Sequence, residues 1–268
     1  MTGLDTDRLE QKLATPGLRV LLLGESNYTR DFRQFAADLM NTAGEHGFTH
    51  LTLELRDSLQ SCFDKYKYKG DRQELAQSLH LAGITTFDEN LFDMLAAAAR
   101  NAIEIRTIDE TLAGRRFTGR DKKMAEQIKR IIAEPKNKVI HWGSYSRIYK
   151  RPGDLQKKPL TLAENLTENL AEDDNTVLSI MGVNLGATLD ADEKQALLDN
   201  LDCFSPQYRG AFDSKTIEQR TLQALSDKRC SNGKCNLPFP CGCGKTENFD
   251  SPQPIEYGYW DYLWFGGD

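Results

Sequence analysis

The run Arg19-Val20-Leu21-Leu22-Leu23-Gly24-Glu25-Ser26-Asn27-Tyr28 decides the fold. A near-continuous apolar segment stops at a glycine and a carboxylate. Such a segment reads as a strand buried on both faces, as in a parallel sheet covered by helices. The polar cluster at its carboxyl end lies where open α/β sheets bind ligands. Thr29 is placed to cap a helix, and Phe32, Phe35, Ala36, Leu39, Met40 and Ala43 keep helical spacing after it. Glu25 therefore belongs on a strand-to-helix turn, with a rigid element on each side. A glycine turn with one solvated acid is the plainer alternative.

The same pattern recurs along the chain. Leu51 to Leu55 reads as a second strand, with Glu54 near its end. The polar and aromatic stretch from Asp57 to Tyr68 reads as loop or short helix. Residues 72–81 and 89–101 read as helices. Ile103 to Ile108 alternates and ends at Asp109 and Glu110, a third strand. Asp121 to Ala133 is an amphipathic helix, with Met124, Ile128, Ile131 and Ile132 on one face and Pro135 as a stop. Lys138 to Trp142 is a fourth strand leading into Gly143, Ser144, Tyr145 and Ser146. Leu162, Leu166 and Leu170 mark another helix, and Thr176 to Met181 a fifth strand.

Strands that alternate with helices indicate βαβ units and a mainly parallel sheet. The expected architecture is an α/β core over residues 18–185, a mainly parallel sheet flanked by helices. Right-handed crossovers bring the strand ends to one rim, and with them Glu25, Glu54, Asp109 and Gly143 to Ser146. Residues 186–268 read as a helical, cysteine-rich C-terminal extension packed on the core, with helices at 191–199 and 215–226. The aromatic run from Tyr257 to Phe265 is expected to pack back on the domain or to meet a partner.

Composition narrows the function classes. The 268 residues carry a net charge of −6, which argues against general nucleic-acid binding through the phosphate backbone. Charged residues are 28% and apolar residues 39% of the chain, an ordinary globular balance. The first sixteen residues or so are polar, with no apolar core of a secretory signal. No stretch approaches the roughly 20 apolar residues of a membrane span. A cytoplasmic protein without membrane association is the expectation.

Several segments taken together resemble one superfamily, the erythromycin-esterase-like, ChaN-like haem-uptake and Tiki-like proteins. Gly24-Glu25-Ser26-Asn27 resembles its first motif, an apolar strand ending in Gly-Glu. Gly47 to Glu54 resembles the approach to its second glutamate. Arg120-Asp121 before Met124-Ala125 resembles its helix start, and Lys138 to Ser146 the strand and turn that carry its second histidine. The likeness covers roughly residues 18–182. It implies a rim site with Glu25 and Glu54 as catalytic residues and water-activating hydrolysis as the reaction. Asn27, Tyr28, Ser144 and Ser146 fall at or beside the superfamily's histidine positions, Asp109 and Tyr145 reach the same rim by topology, and all six are candidate ligand-binding residues; the ChaN-like branch implies haem as a cofactor.

Both motif histidines are replaced. The first position falls on Asn27 or Tyr28, the second on Ser146 or Ser144. Asparagine and serine take up no proton near pH 7 and are poorer ligands for transition metals. A small-molecule-binding relative without catalysis, a pseudoenzyme, is therefore as natural a reading as a divergent hydrolase.

Glu25, Glu54 and Asp109 are candidates for a carboxylate cluster, either a general base or a hard-cation site. Ion pairing with Arg56, Arg106 or Arg120 competes with that role. His46, His50, His80 and His141 lack metal-ligand spacing, and strand alternation sends His141 toward the core. A nucleotide- or methyl-donor-binding fold, methyltransferase-like, also places a glycine turn after strand one and an acid after strand two. Its first turn usually carries more than the single Gly24. The basic stretches Gly114–Lys123 and Arg147–Lys158 either draw an anionic ligand to the rim or are solvated loops.

Cys230, Cys235, Cys241 and Cys243 fall within one short Gly- and Pro-containing segment. Four thiolates close a tetrahedron around a structural zinc. Disulfides and free thiols are the alternatives. Cys62 and Cys203 stand apart.

Overall fold

A computed structural model describes residues 6–25, 30–110, 119–148, 160–168, 176–184, 210–213 and 262–266. Its first regular element is α1, Thr6–Leu13, which the sequence pattern does not announce. Leu9 and Leu13 lie one turn apart on it and are both buried.

The expected first strand is β1, Val20–Glu25, and its apolar run is fully enclosed. The chain continues through α2 (Arg30–Glu45), β2 (His50–Arg56), a 3-10 turn (Asp57–Leu59) and the helices α3 (Gln60–Lys69) and α4 (Arg72–Leu81). Then come α5 (Glu89–Arg100), β3 (Glu104–Asp109), α6 (Arg120–Ile132), β4 (Val139–Ser144), α7 (Tyr145–Ile148), α8 (Leu162–Thr167) and β5 (Val177–Asn184). Two short strands follow, β6 (Gly210–Asp213) and β7 (Tyr262–Gly266).

The strands form one sheet in the order β3-β2-β4-β1-β5-β7-β6. Every pairing among them is parallel except that of β6 with β7. The mainly parallel α/β fold is thus the observed one. Part of the aromatic tail packs back on the domain: β7 lies between β5 and β6 inside the sheet. The helices expected at 191–199 and 215–226 lie outside the described residues.

Side-chain alternation divides the core. Leu21 and Leu23 of β1, with Leu51, Leu53, Ile140 and Trp142, join the cluster built on α2 and α5. Leu22, His141 and Thr52 share strand positions on the opposite face, toward α6, α7 and α8. Connections from β1 and β2 therefore run over one face, and connections from β3 and β4 over the other. β4 sits between β1 and β2, so neighbouring strands send their chains to opposite faces. That is a topological switch point, where a crevice opens outside the carboxyl ends of the strands.

Two glycines allow the close packing at this edge. A Cβ on Gly24 would lie 2.5 Å from Ile148 Cδ1 and 2.8 Å from the Tyr145 backbone, so α7 rests directly on β1. The Phe32 ring covers Gly182 on the other face in the same way.

Candidate functional site

A pocket of about 420 Å³ occupies the crevice at the ends of β1, β2 and β4. Its polar lining is Glu25, Arg33, Glu54, Thr86 and Ser144, and its apolar lining includes Leu53, Leu55, Phe87, Leu91 and Trp142. Glu25 and Ser144 are register partners on adjacent strands. Alternation turns Glu25 toward α2 and Glu54 toward α6 and α7. The two glutamates reach the pocket from opposite faces of the sheet.

Each glutamate is held by arginine. Arg33 of α2 donates from Nε to Glu25 Oε1 at 2.6 Å and from Nη2 to Glu25 Oε2 at 2.9 Å. Its Nη1 donates to the Thr86 carbonyl at 2.9 Å and lies 3.1 Å from Asp88 Oδ1. Asp88 also accepts from the Leu91 N–H at 3.0 Å, capping α5. Burial works against the Arg33 charge, yet Glu25 and Asp88 outweigh it and hold the guanidinium above its ordinary value. Burial likewise pushes Asp88 up, and the Leu91 N–H and Arg33 more than reverse that.

Glu54 meets three donors. Its Oε2 accepts from the Ser144 N–H at 2.7 Å. Its Oε1 lies 2.6 Å from Arg147 Nε and 2.9 Å from Arg120 Nη2. Arg120 reaches on to Asp109, Nε to Oδ1 at 2.9 Å, and Arg147 to Asp121. Asp109, Arg120, Glu54, Arg147 and Asp121 form one chain of alternating charge that ties β3, β2, α6 and α7 together. Burial opposes the Arg147 charge but Glu54 and Asp121 raise it, while burial lifts Asp121 above its ordinary value despite Arg147.

Ion pairing is thus what the structure shows for these acids. Of the arginines named from sequence, Arg120 has that role, whereas Arg106 pairs with Glu104. Sequence reasoning does not single out Arg33 or Arg147. The available signal for Arg33 is a charge within an apolar stripe, one turn from Ala36 and Ala37.

Glu25, Glu54 and Ser144 line the pocket, and Asp109 is buried behind Arg120. Tyr145 and Ser146 start α7, where Ser146 Oγ lies 2.9 Å from Ser144 Oγ. Burial pushes the Tyr145 phenol up. Asn27, Tyr28, Cys230, Cys235, Cys241 and Cys243 lie outside the described residues. Cys62 is a free, half-buried thiol.

His141 goes into the sheet, as alternation requires. Its ring is fully buried, with Nδ1 3.1 Å from Thr52 Oγ1. Burial lowers its pKa to about 4, against the pull of Glu54 and in line with the push of Arg147 and Arg120.

Among the described residues no helix is long and apolar enough to cross a membrane. No group of three or more His, Cys, Asp or Glu side chains among them is arranged to hold a metal ion.

No family model matches the chain, and no curated protein matches it. Solved structures do. A Bacillus cereus protein superposes with a TM-score of 0.54, covering 97% of this chain and 90% of that one at 13% identity. That likeness is one of fold. The type III effector HopBA1 gives 0.48 over 66% of this chain and 84% of its own, at 15% identity. ChaN of Campylobacter jejuni, solved for its cofacial haem binding, gives 0.46 over 66% and 86%, at 11% identity.

Proposed function

We propose that the chain is a divergent relative of the erythromycin-esterase-like, ChaN-like and Tiki-like proteins that binds a small molecule in the rim pocket. The supporting observation is that every oxygen of Glu25 and Glu54 already accepts a hydrogen bond or faces an arginine. A general base must take a proton on one of those oxygens, and doing so here breaks an arginine pair. Carboxylates held in this way shape a wall and orient a ligand's donors. The apolar side, from Leu53 to Trp142, supplies the area that drives small-molecule binding.

The test combines a ligand screen by thermal shift with an assay panel of esters, lactones and peptides. Small-molecule stabilisation of the protein that weakens in Leu91→Arg is expected, with no turnover that depends on Glu25 or Glu54. Turnover by the native protein that disappears in Glu25→Gln overturns this reading in favour of a divergent hydrolase.

Haem fits the described lining poorly. None of its residues is a His, Cys, Met or Tyr able to ligate the iron, and nearby Tyr145 is pushed away from the tyrosinate form. A haem reading rests on Tyr28, and a Soret titration of Tyr28→Phe tests it. A nucleotide or methyl-donor reading has less support, since Glu54, the acid placed to hold a ribose, already serves Arg120, Arg147 and the Ser144 N–H.

A further inference from the structure

Beneath the pocket, Thr52, His141, Gly143 and Glu54 meet on the inner face of β2 and β4. Thr52 Oγ1 lies 3.3 Å from the Ile140 carbonyl and 3.1 Å from His141 Nδ1. A hydroxyl has one hydrogen. Given to the carbonyl, it leaves Thr52 an acceptor for His141, which then carries its proton on Nδ1. Nε2 is left with a bare lone pair.

That Nε2 is buried and has no hydrogen-bond partner among the described residues. It lies beside Gly143, a position on the same face without a side chain. A Cβ on Gly143 would lie 2.7 Å from His141 Nε2 and 2.8 Å from Glu54 Oε2. The two atoms are therefore separated by less than two hydrogen-bond lengths, with no direct bond between them. Both are acceptors. Two buried acceptors at this spacing call for a donor between them.

We infer that a buried water bridges His141 Nε2 and Glu54 Oε2 beside Gly143, making His141 a positioning residue for the rim carboxylate. One water supplies two O–H donors, one to each acceptor, at no cost in charge. A neutral ring with its proton on Nε2 is the competing solution, and it requires Thr52 to donate to Nδ1 and give up the Ile140 carbonyl. The charged groups facing the ring are Glu54 from β2, Arg120 from α6 and Arg147 from α7. The result is a hydrogen-bonded line from the Ile140 carbonyl through Thr52, His141 and water to Glu54, ending at the pocket. It fixes the carboxylate from below while the arginines fix it from the side. This bridge does not depend on what occupies the pocket.

Histidine-selective 15N NMR on the full chain tests it. At pH 7 the His141 ring is expected as the single Nδ1–H tautomer, with Nε2 an acceptor nitrogen. In Glu54→Gln the Nε2 resonance is expected to shift, because an amide donor replaces the carboxylate partner, while Glu25→Gln leaves it unmoved. An Nε2–H tautomer, or an Nε2 resonance indifferent to Glu54→Gln, overturns the inference. If Glu54→Gln does not fold, a high-resolution crystal structure of the native protein decides. A water within hydrogen-bond reach of both atoms is expected, and a dry contact between them refutes the bridge.

Discussion

Arg33 grips both oxygens of Glu25 from one turn into the helix that follows it, while only 2% of its surface meets solvent. The pair is the joint between β1 and α2. Removing one partner of a buried pair strands the other charge. Arg33→Met is expected to cost about 3 kcal/mol or more in urea unfolding. Combined with Glu25→Leu it is expected to cost less than the two single changes together, by more than about 1 kcal/mol. Simple additivity counts against the joint.

Acid is expected to weaken the fold through His141. Its pKa is about 4 in the native state against an ordinary 6.5. Between those values the unfolded chain binds a proton that the native chain refuses, so stability falls as pH drops through that window. The full loss is about 3 kcal/mol at roughly 1.4 kcal/mol per unit. Comparing unfolding at pH 7 and pH 4.5 for the native protein and His141→Gln measures it. The variant is expected to show a shallower loss, and identical slopes reject the assignment.

Gly143 has no room for a side chain, because His141 and Glu54 converge on it. Gly143→Ala is expected to destabilise by about 1–3 kcal/mol. Gly17, where an added methyl would meet nothing within 4 Å, is the control, and Gly17→Ala is expected to stay within about 0.5 kcal/mol. Equal melting temperatures for both variants contradict the crowding.

Gln60 closes the edge of the sheet at β3. Its amide donates to the Ile105 carbonyl at 2.9 Å and accepts from the Thr107 N–H at 2.8 Å, as a neighbouring strand would. Gln60→Ala bares both groups on an edge strand. Concentration-dependent association by light scattering is expected, together with a loss of about 1 kcal/mol. A variant that stays as monodisperse as the native protein shows the edge is guarded elsewhere.

The four C-terminal cysteines carry a separate expectation. Elemental analysis of protein prepared without chelator should find about one zinc per chain, with four thiolate ligands and no open position. Zinc-free protein with four titratable thiols, and melting unchanged by Cys241→Ser with Cys243→Ser, rejects a structural metal and disulfides alike.

Much of the fold is legible because long apolar runs stop abruptly. The run from Val20 to Leu23 admits little but a doubly covered strand, and residues 72–81 become a helix with the expected bounds. What escapes depends on distance along the chain. β7 reads as aromatic packing, since its pairing with β5 lies far upstream and leaves no local mark. The site is legible in its acids and not in their partners. Glu25 and Glu54 stand at strand ends, where topology places them. Which arginine meets which acid depends on how α2, α6 and α7 settle over the sheet, and sequence spacing does not report that.

The place of β1 has a consequence for how the chain is made. Val20 pairs with Val139 on one side and Val177 on the other. On the ribosome this apolar strand emerges before both of its neighbours, and stays without them until β4 and then β5 have followed. Such non-local pairing slows folding and prolongs the exposure of sticky intermediates. Refolding yield is therefore expected to fall as protein concentration rises.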